Sequence, residues 1–210
     1  MKILNLYAGI GGNRKNWDGE KHNITAVEIN EEIAEEYRQN FPNDKVVVGD
    51  AHEYLKENYS DFDFIWTSPP CPSHSTMRKA GVGRGQNDAI YPDMKLWQEI
   101  FFLHQYFEGN YVVENVKPWY DDEVEWEMVK PQESSRHYFW SNFSIPKVNI
   151  AASNFNTSNN SELKEWLGFQ VKDNWKSVKK RKVLRNCVHP RIGEAILKSR
   201  NRKQAKLPIE

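Results

Sequence analysis

Short strand-like runs and helix-like segments alternate along the first half of the chain, and this alternation limits the possible folds more than any other feature. Runs of β-branched and aromatic residues give way to segments whose apolar residues recur at helical spacing. Strands separated by helices of about ten residues form βαβ units with parallel strands. We therefore predict an α/β fold, a mostly parallel sheet with helices on both faces. The predicted strands are 2–7, 24–29, 45–48, 62–67 and 111–114, and the predicted helices are 11–17, 31–40, 51–57 and 93–107.

The second half predicts additions to this sheet. An aromatic-rich run at 136–143 suits a late, antiparallel strand, and residues 68–90 form a long polar loop. The stretch 149–161 is rich in Asn and Ser and predicts another loop. A short helix capped by Ser161 should end at Gly168, and a closing helix should run from His189 or Pro190 to Arg200. With 210 residues, we expect a single domain.

Composition excludes several classes of protein. Hydrophobic residues make up 39% of the chain, enough for a core, but no apolar run approaches the length of a membrane span. The first residues lack the apolar centre of a signal peptide, so we expect a cytoplasmic protein. The two cysteines, Cys71 and Cys187, are too few for a disulfide scaffold and should be thiols.

The charge of the chain is unevenly distributed. The formal net charge is zero, with 29 basic and 29 acidic residues. Residues 172–206 nevertheless hold thirteen Lys and Arg against two acids. A basic segment on an acidic body is typical of polyanion binding, and a solvated basic surface is the alternative interpretation.

Three predicted strand ends carry residues suited to an adenosine-bearing ligand. A glycine-rich turn, Ala8 to Gly12, follows the first strand and lets the backbone approach a ligand closely. Glu28 ends the second strand, where an acid accepts hydrogen bonds from ribose hydroxyls. Asp50 follows the third, where a carboxylate meets an adenine amino group. S-adenosylmethionine and a dinucleotide both fit this pattern.

The next two strand ends carry groups for covalent chemistry. Cys71 lies among prolines directly after the fourth strand, a stiff and exposed position that favours a nucleophile over a core cysteine. The fifth strand brings Glu114 to the same edge, beside the thiol.

The order of these motifs resembles that of cytosine-5 DNA methyltransferases. The motifs are LYAGIGG at 6–12, Glu28, Asp50, PPC at 69–71, ENV at 114–116 and NCV at 186–188. The resemblance spans almost the whole chain and implies a Rossmann-like S-adenosylmethionine-dependent methyltransferase fold. Arg136 resembles the last arginine of the family's Gln-Arg-Arg-x-Arg element, whose earlier positions are unmatched.

The resemblance implies a role for each matching residue. Cys71 would be the nucleophile, with Glu114 and Arg136 as further catalytic residues. S-adenosylmethionine would be held by Tyr7, Ala8, Gly9, Gly11, Gly12, Glu28, Ile29, Asp50, Ala51, Pro69, Asn186 and Val188. DNA, with its target base flipped out, would contact Ser75, Arg78, Lys79, Arg84, Lys179, Lys180, Arg181 and Lys182. The implied setting is restriction-modification of prokaryotic or phage DNA.

The chemistry explains these residue types. Carbon 5 of cytosine is a weak nucleophile until a thiolate adds at carbon 6. Glu114 would hydrogen bond to or protonate ring nitrogen 3, and Arg136 would assist at the carbonyl and favour the Cys71 thiolate. RNA cytosine is the alternative substrate, and a non-catalytic nucleic-acid-binding subunit is the alternative class.

Two other chemistries are disfavoured. A zinc site made of Cys71, His74, Cys187 and His189 lacks a familiar ligand spacing. Methylation of an exocyclic amino group is disfavoured because those enzymes carry an aromatic residue after Pro-Pro, where this chain has Cys71.

The usual family member is longer because it carries a target-recognition domain. Here residues 145–184 predict only a short, loop-rich segment in its place. We therefore expect a minimal catalytic domain that grips nucleic acid mainly by charge, or one that relies on a separate specificity partner.

Overall fold

A seven-stranded sheet forms the centre of the computed structural model of the protein, which describes residues 1–120, 130–150, 159–172 and 175–201. The strands are β1 (Lys2–Leu6), β2 (Asn23–Glu28), β3 (Lys45–Val48), β4 (Phe64–Thr67), β5 (Asn110–Val116), β6 (Gln132–Ser134) and β7 (His137–Ser141). The helices within these residues are α1 (Glu31–Asn40), α2 (Ala51–Asn58), α3 (Thr76–Gly83), α4 (Lys95–Tyr106), α5 (Asn160–Leu167), α6 (Ser177–Arg185) and α7 (Pro190–Ser199).

The strand order is β3-β2-β1-β4-β5-β7-β6. Strands β1 to β5 are mutually parallel, so their carboxyl ends lie at one edge, where α/β sheets bind ligands. Strand β7 pairs antiparallel with β5, and β6 pairs antiparallel with β7. The predicted α/β class, the parallel sheet and the late antiparallel strand are confirmed.

Alternating side chains along the strands build a core on each face of the sheet. Leu4 and Leu6 of β1 face a cluster that includes Leu55 of α2 and Ile100 of α4. Ile3, the residue before Leu4, faces the opposite cluster, which includes residues of α7. Burying one large aliphatic side chain is worth about 1.5–3 kcal/mol, so helices on both faces stabilise the sheet.

Polar side chains fix where the helices begin. Asn30 caps α1 through the backbone N–H of Ile33, and Asp50 caps α2. Asn159 and Glu162 form a capping box at the start of α5. The prediction that Ser161 caps α5 is wrong, because the oxygen that accepts the first free N–H groups belongs to Asn159. Gly168 ends α5 in the left-handed conformation, as predicted.

The predicted helix at 11–17 does not form. Gly11 has a φ of 86°, which a right-handed helix cannot accommodate, and the segment instead makes successive turns in which Arg14 N–H bonds to the Gly11 carbonyl. A buried amide pair, Asn5 with Asn13, fastens these turns to β1. A bidentate contact of Arg14 with Asp44 fastens them to the β3 side of the fold. The glycine-rich turn therefore presents no helix N-terminus to a ligand.

Two segments expected to be loops contain helices. Helix α3 lies within the predicted loop 68–90, with Ser75 as its N-cap. In segment 145–184, which was predicted to be loop-rich apart from the short helix ending at Gly168, α6 is a further helix that was not predicted. The apolar side chains of α5 and α6 form a small core with Ile10. Residues 151–158 of the predicted Asn/Ser-rich loop, and the basic residues at 202, 203 and 206, lie outside the described residues.

Among the helices of the described residues, none combines the length and the apolar character needed to cross a membrane.

Candidate active site

The turn after β1 is tied directly to the end of β2. Gly9 N–H donates to Oε2 of Glu28 at 3.0 Å, and Asn30 N–H donates to Oε1 of the same carboxylate at 2.9 Å. Tyr7 and Gly9 both have positive φ values, 53° and 56°. Each carboxylate oxygen retains a lone pair after these bonds, so Glu28 can still accept a hydrogen bond from a ligand.

The space above this edge is open. An added side-chain carbon at Gly9 or Gly49 would meet no atom within 4 Å. Ile29, next to Glu28, exposes 69% of its surface, which is unusual for an isoleucine directly after a buried strand. Ala8, Ala51 and Pro69 are buried, so only their backbone atoms can face a ligand.

Asp50 combines helix capping with a charge contact. Its Oδ1 accepts from the His52 N–H at 2.8 Å, and its Oδ2 lies 3.1 Å from Lys95 Nζ. Partial burial acts to raise the pKa of this carboxyl, but the Lys95 hydrogen bond and the helix N–H groups prevail and lower it. Asp50 is therefore a carboxylate at neutral pH and a hydrogen-bond acceptor.

A buried acid that the sequence analysis missed supports the cofactor edge. Glu99, fully buried on α4, accepts hydrogen bonds from Tyr7 Oη at 2.6 Å and Thr67 Oγ1 at 2.5 Å. His52 Nδ1 lies 3.0 Å from the same carboxylate, and this contact raises the pKa of His52. Burial, and then Glu99, raise the pKa of Tyr7 far above its usual range, so Tyr7 stays a neutral donor. The sequence did contain a signal for this residue: Glu99 lies among the apolar positions of the predicted helix 93–107, where an acid must find hydrogen-bond partners.

Cys71 lies on a loop that two neighbouring segments hold in place. Asn115 Nδ2 donates to the Pro69 carbonyl at 2.9 Å, and Trp119 Nε1 donates to the Ser73 carbonyl at 3.1 Å. His74 N–H donates to the carbonyl of Cys71 itself at 3.0 Å, which closes a turn after the thiol. The segment after β5 therefore positions the loop after β4.

The thiol of Cys71 is half-buried, and its pKa lies above the ordinary cysteine value. Burial raises its pKa, and the negative charge of Glu114 adds to this shift. Arg136 acts in the opposite direction with a smaller effect. Deprotonation of Cys71 therefore needs either a nearby base or the neutralisation of Glu114.

Glu114 contacts a histidine that the sequence analysis did not assign. His137 Nδ1 lies 2.5 Å from Glu114 Oε1, and both side chains are buried. Burial acts to raise the pKa of Glu114, but His137, a hydrogen bond from Ser68 and the charge of Arg136 lower it on balance. The register explains the contact: His137 pairs with Val116, which places it diagonally across from Glu114 on the same face.

Arg136 lies at the tip of the β6–β7 hairpin. Ser134 pairs with His137, leaving Ser135 and Arg136 as a two-residue turn in which Ser135 has a φ of 59°. Arg136 Nη2 donates to the Arg185 carbonyl at 3.0 Å, and its charge acts on Cys71 and Glu114. Arg136 thus reaches the site, while the residue in direct contact with Glu114 is its neighbour His137.

The terminal element packs against the glycine-rich turn. A side-chain carbon at Gly12 would lie 2.6 Å from Cys187 Cβ and 2.7 Å from the Val188 carbonyl oxygen. Burial raises the pKa of Cys187 to about 12, so this thiol is inert. Val188 is part of the core against α7, while Asn186 is exposed.

The residues of the zinc alternative have other partners. His74 Nδ1 lies 2.7 Å from Tyr120 Oη, and His189 caps α7 through its Nδ1. Within the described ranges, no three His, Cys, Asp or Glu side chains are grouped closely enough to hold a metal ion.

The predicted nucleic-acid contacts fall into two groups. Near the catalytic loop, Ser75 caps α3, Arg78 bonds to the Asp88 carbonyl, Lys79 lies over the Trp119 ring and Arg84 ends α3 exposed.

The second group lies on α6, which faces the acidic helix α1. Lys179 forms an ion pair with Glu32 and lies over the Trp175 ring. Lys180 and Arg181 are half-buried, while Lys182 is exposed. Part of the basic charge of this segment is therefore neutralised within the fold.

Comparisons with known proteins agree with this arrangement. The model of the C-5 cytosine-specific DNA methylase family matches residues 1–128. The methyltransferase EhMeth of Entamoeba histolytica superposes with a TM-score of 0.56 at 12% identity, covering 95% of this chain and 97% of EhMeth. No curated protein matches the chain.

Two further solved structures are more distant. DNMT2 of Spodoptera frugiperda has a TM-score of 0.45 at 20% identity, covering 81% of this chain and 60% of DNMT2. A putative DNA modification methyltransferase from an E. coli prophage has a TM-score of 0.42 at 17% identity, covering 67% of this chain and 46% of that one. The fold is that of S-adenosylmethionine-dependent methyltransferases. Because the family model matches more than half of its 210 residues, the chain belongs to the C-5 cytosine-specific DNA methylase family.

Proposed function

We propose that this protein transfers a methyl group from S-adenosylmethionine to carbon 5 of cytosine in DNA, through a covalent adduct with Cys71. The observation that carries the proposal is that the adjacent parallel strands β4 and β5 bring Cys71 and Glu114 together: Asn115, next to Glu114, donates a hydrogen bond to the carbonyl of Pro69, two residues before Cys71. Both groups lie towards the carboxyl edge of the sheet, Cys71 one strand away and Glu114 two strands away from the strand that precedes the open turn at Gly9.

The residues at the open edge fit S-adenosylmethionine. The Glu28 carboxylate, already fixed by two backbone N–H groups, would accept from the ribose hydroxyls. Ile29 would cover one face of the adenine ring, and Asp50 would accept from its amino group. The exposed Asn186 would reach the same ligand from the terminal element. When bound, S-adenosylmethionine supplies an electrophilic methyl group.

Cys71 would prepare the base for methylation. Its thiolate adds at carbon 6, forming a sulfur–carbon bond, and the electrons of the 5,6 double bond move into the ring so that carbon 5 becomes nucleophilic. After methylation, a base removes the carbon 5 proton and the Cys71–carbon bond breaks to restore the ring. A half-buried thiol with a raised pKa is unreactive until substrate arrives, which limits side reactions.

Glu114 and Arg136 would stabilise the attacked ring. Charge accumulates on ring nitrogen 3 and the carbonyl oxygen as the thiolate adds, and a donor at each position lowers the barrier. Protonated Glu114 would donate to nitrogen 3, and the Arg136 charge would favour the oxyanion. Neutralising Glu114 in this way also removes the charge that disfavours the Cys71 thiolate.

The nucleic acid would approach across the catalytic loop. A cytosine inside a duplex must leave the base stack to reach Cys71, at a cost of a few kcal/mol. Arg78, Lys79 and Arg84 of α3 would contact the flanking phosphates. A separate specificity partner and a restriction-modification setting remain predictions.

The decisive experiment supplies labelled S-adenosylmethionine with duplex DNA, single-stranded DNA or RNA and measures methylated nucleosides by mass spectrometry. We expect 5-methylcytosine in duplex DNA, with at least a thousandfold loss of activity in Cys71→Ala. Methylated product found only in RNA would show that RNA, and not DNA, is the substrate. Binding of DNA without any product would favour a non-catalytic subunit. Equal activity of Cys71→Ala would rule out the covalent mechanism.

A further inference from the structure

Glu114 and His137 form a direct hydrogen bond between two buried ionisable side chains, one of which belongs to the proposed catalytic machinery. His137 Nδ1 and Glu114 Oε1 are 2.5 Å apart in a buried site. A hydrogen bond between these two atoms gives a proton on His137 Nδ1 a direct path to the Glu114 carboxylate. Arg136, the neighbouring cation, is held by the Arg185 carbonyl, and arginine does not release a proton in proteins.

The proposed chemistry needs a proton at this position. Ring nitrogen 3 of cytosine is an acceptor, so a Glu114 carboxylate would repel it, and only the protonated acid can donate to it. His137, Ser68 and Arg136 lower the pKa of Glu114, so the acid is ionised beside His137. The proton must therefore come from a partner of Glu114.

We propose that His137 is the proton source for Glu114 and hence a positioning residue for the methyl-transfer reaction; this inference rests on the proposed function. As the Cys71 sulfur bonds to carbon 6, His137 Nδ1 gives its proton to the Glu114 carboxylate, which leaves a neutral imidazole protonated on Nε2. Ring nitrogen 3 takes that same proton from Glu114, which returns to the carboxylate form. The proton returns along the same path when the Cys71–carbon bond breaks, so the cycle needs no other acid.

The charged and titratable groups around the pair set its pH dependence. Cys71 faces Glu114 from the loop after β4, and Arg136 faces it from the hairpin tip. Arg185 and Cys187, at the end of α6, act on Arg136 in turn. The proposed relay needs a Cys71 thiolate and a proton in the Glu114–His137 contact at the same time, so the rate should pass through a maximum and fall at high pH.

The first test measures single-turnover methyl transfer to duplex DNA between pH 5.5 and 9.5. We expect His137→Gln and His137→Arg to lower the rate about 10- to 100-fold and to abolish the fall at high pH. The matched control His104→Gln, which alters an exposed histidine on the outer side of α4, should keep the wild-type profile. A wild-type rate in His137→Arg, or the wild-type fall at high pH in either variant, would overturn the relay.

A second test needs neither substrate nor cofactor. In ¹⁵N-histidine-labelled protein, the relay predicts an exchange-protected, low-field Nδ1 proton that disappears in both His137→Gln and Glu114→Ala. Its absence from the wild-type spectrum would overturn the inference even if the enzyme is active. Conversely, an inactive wild type on every nucleic acid would contradict the proposed function, while this resonance would still establish the shared proton.

Discussion

At the scale of single residues, the buried Glu99 of α4 connects several parts of the proposed cofactor site. It accepts from Tyr7 and Thr67 and contacts His52, so it holds three elements of the cofactor edge together. A hydrogen bond to a charged group contributes about 1.5–3 kcal/mol. We expect Glu99→Gln to lower the free energy of unfolding by about 1–3 kcal/mol and to weaken S-adenosylmethionine binding about tenfold. Urea denaturation and calorimetry measure the two effects.

The exposed Glu108, just beyond α4, provides the matched control for this substitution. Glu108→Gln should leave both quantities unchanged. Cofactor affinity equal to wild type in Glu99→Gln would contradict the positioning of Tyr7 by Glu99.

The His52–Glu99 contact gives stability a defined pH dependence. Because Glu99 raises the pKa of His52 in the folded protein, protonation favours the folded state. This contribution is complete below the ordinary histidine pKa of about 6.5 and is lost as pH rises through the folded value. The stability difference between wild type and His52→Gln should therefore be largest near pH 6 and shrink towards pH 9. A difference that grows with pH in urea titrations would contradict this sign.

At the scale of elements, the terminal helix depends on close backbone contact with the glycine-rich turn. A side-chain carbon at Gly193 in α7 would lie 2.0 Å from the Asn13 carbonyl oxygen. Gly193→Ala must therefore move α7, and we expect the free energy of unfolding to fall by about 1–3 kcal/mol. Gly83→Ala, where the added carbon meets no atom within 4 Å, is the matched control and should not destabilise the protein. Thermal unfolding of both variants tests this packing.

Two basic residues of α6, Lys179 and Lys182, should contribute unequally to nucleic-acid binding. Lys179 pairs with Glu32, whereas Lys182 is exposed. Affinity falls as salt rises, and we expect Lys182→Gln to make the slope of log affinity against log salt less steep by about one. Lys179→Gln should change this slope less. Lys21→Gln, at the opposite edge of the sheet, should have no effect. Equal effects of Lys179→Gln and Lys182→Gln on the salt slope would show that the α1 contact does not neutralise Lys179.

Elements could be predicted where a pattern is local. Helix α1 and strand β3 have the predicted bounds because their apolar spacing and flanking caps lie within a few residues. The prediction of a helix at 11–17 was wrong because Gly11 has a positive φ, which a right-handed helix cannot accommodate and which only the folded chain reveals.

The contacts of the site were harder to predict. Tyr7 and Glu99 are 92 residues apart in the chain, so their bond depends on the packing of α4. The choice between Arg136 and His137 depends on strand register, and a shift of one residue exchanges the two faces of a strand. Cys71 and Glu114 were predicted together because Cys71 follows β4 and Glu114 lies near the carboxyl end of the neighbouring parallel strand β5.

At the scale of the whole molecule, the zero net charge is the sum of opposed parts that also contact each other. The acidic helix α1 faces the basic helix α6, so the fold uses some of its charge asymmetry internally. Exposed cations remain on α6, at Lys182, and beside the catalytic loop on α3, at Lys79 and Arg84. Segment 145–184 contributes helices whose apolar side chains pack with Ile10 of the glycine-rich turn. We therefore expect strongly salt-dependent binding with limited sequence selectivity.

The central claim, covalent attack by Cys71 on cytosine, has a direct test in the mass of the trapped complex. An oligonucleotide with 5-fluorocytosine cannot lose a proton from carbon 5, so the methylated adduct should persist when S-adenosylmethionine is supplied. We predict a species with the summed mass of protein, oligonucleotide and one methyl group, cross-linked through Cys71 and absent in Cys71→Ala. Methylated product from ordinary cytosine without this adduct, or an adduct at Cys187, would contradict the account.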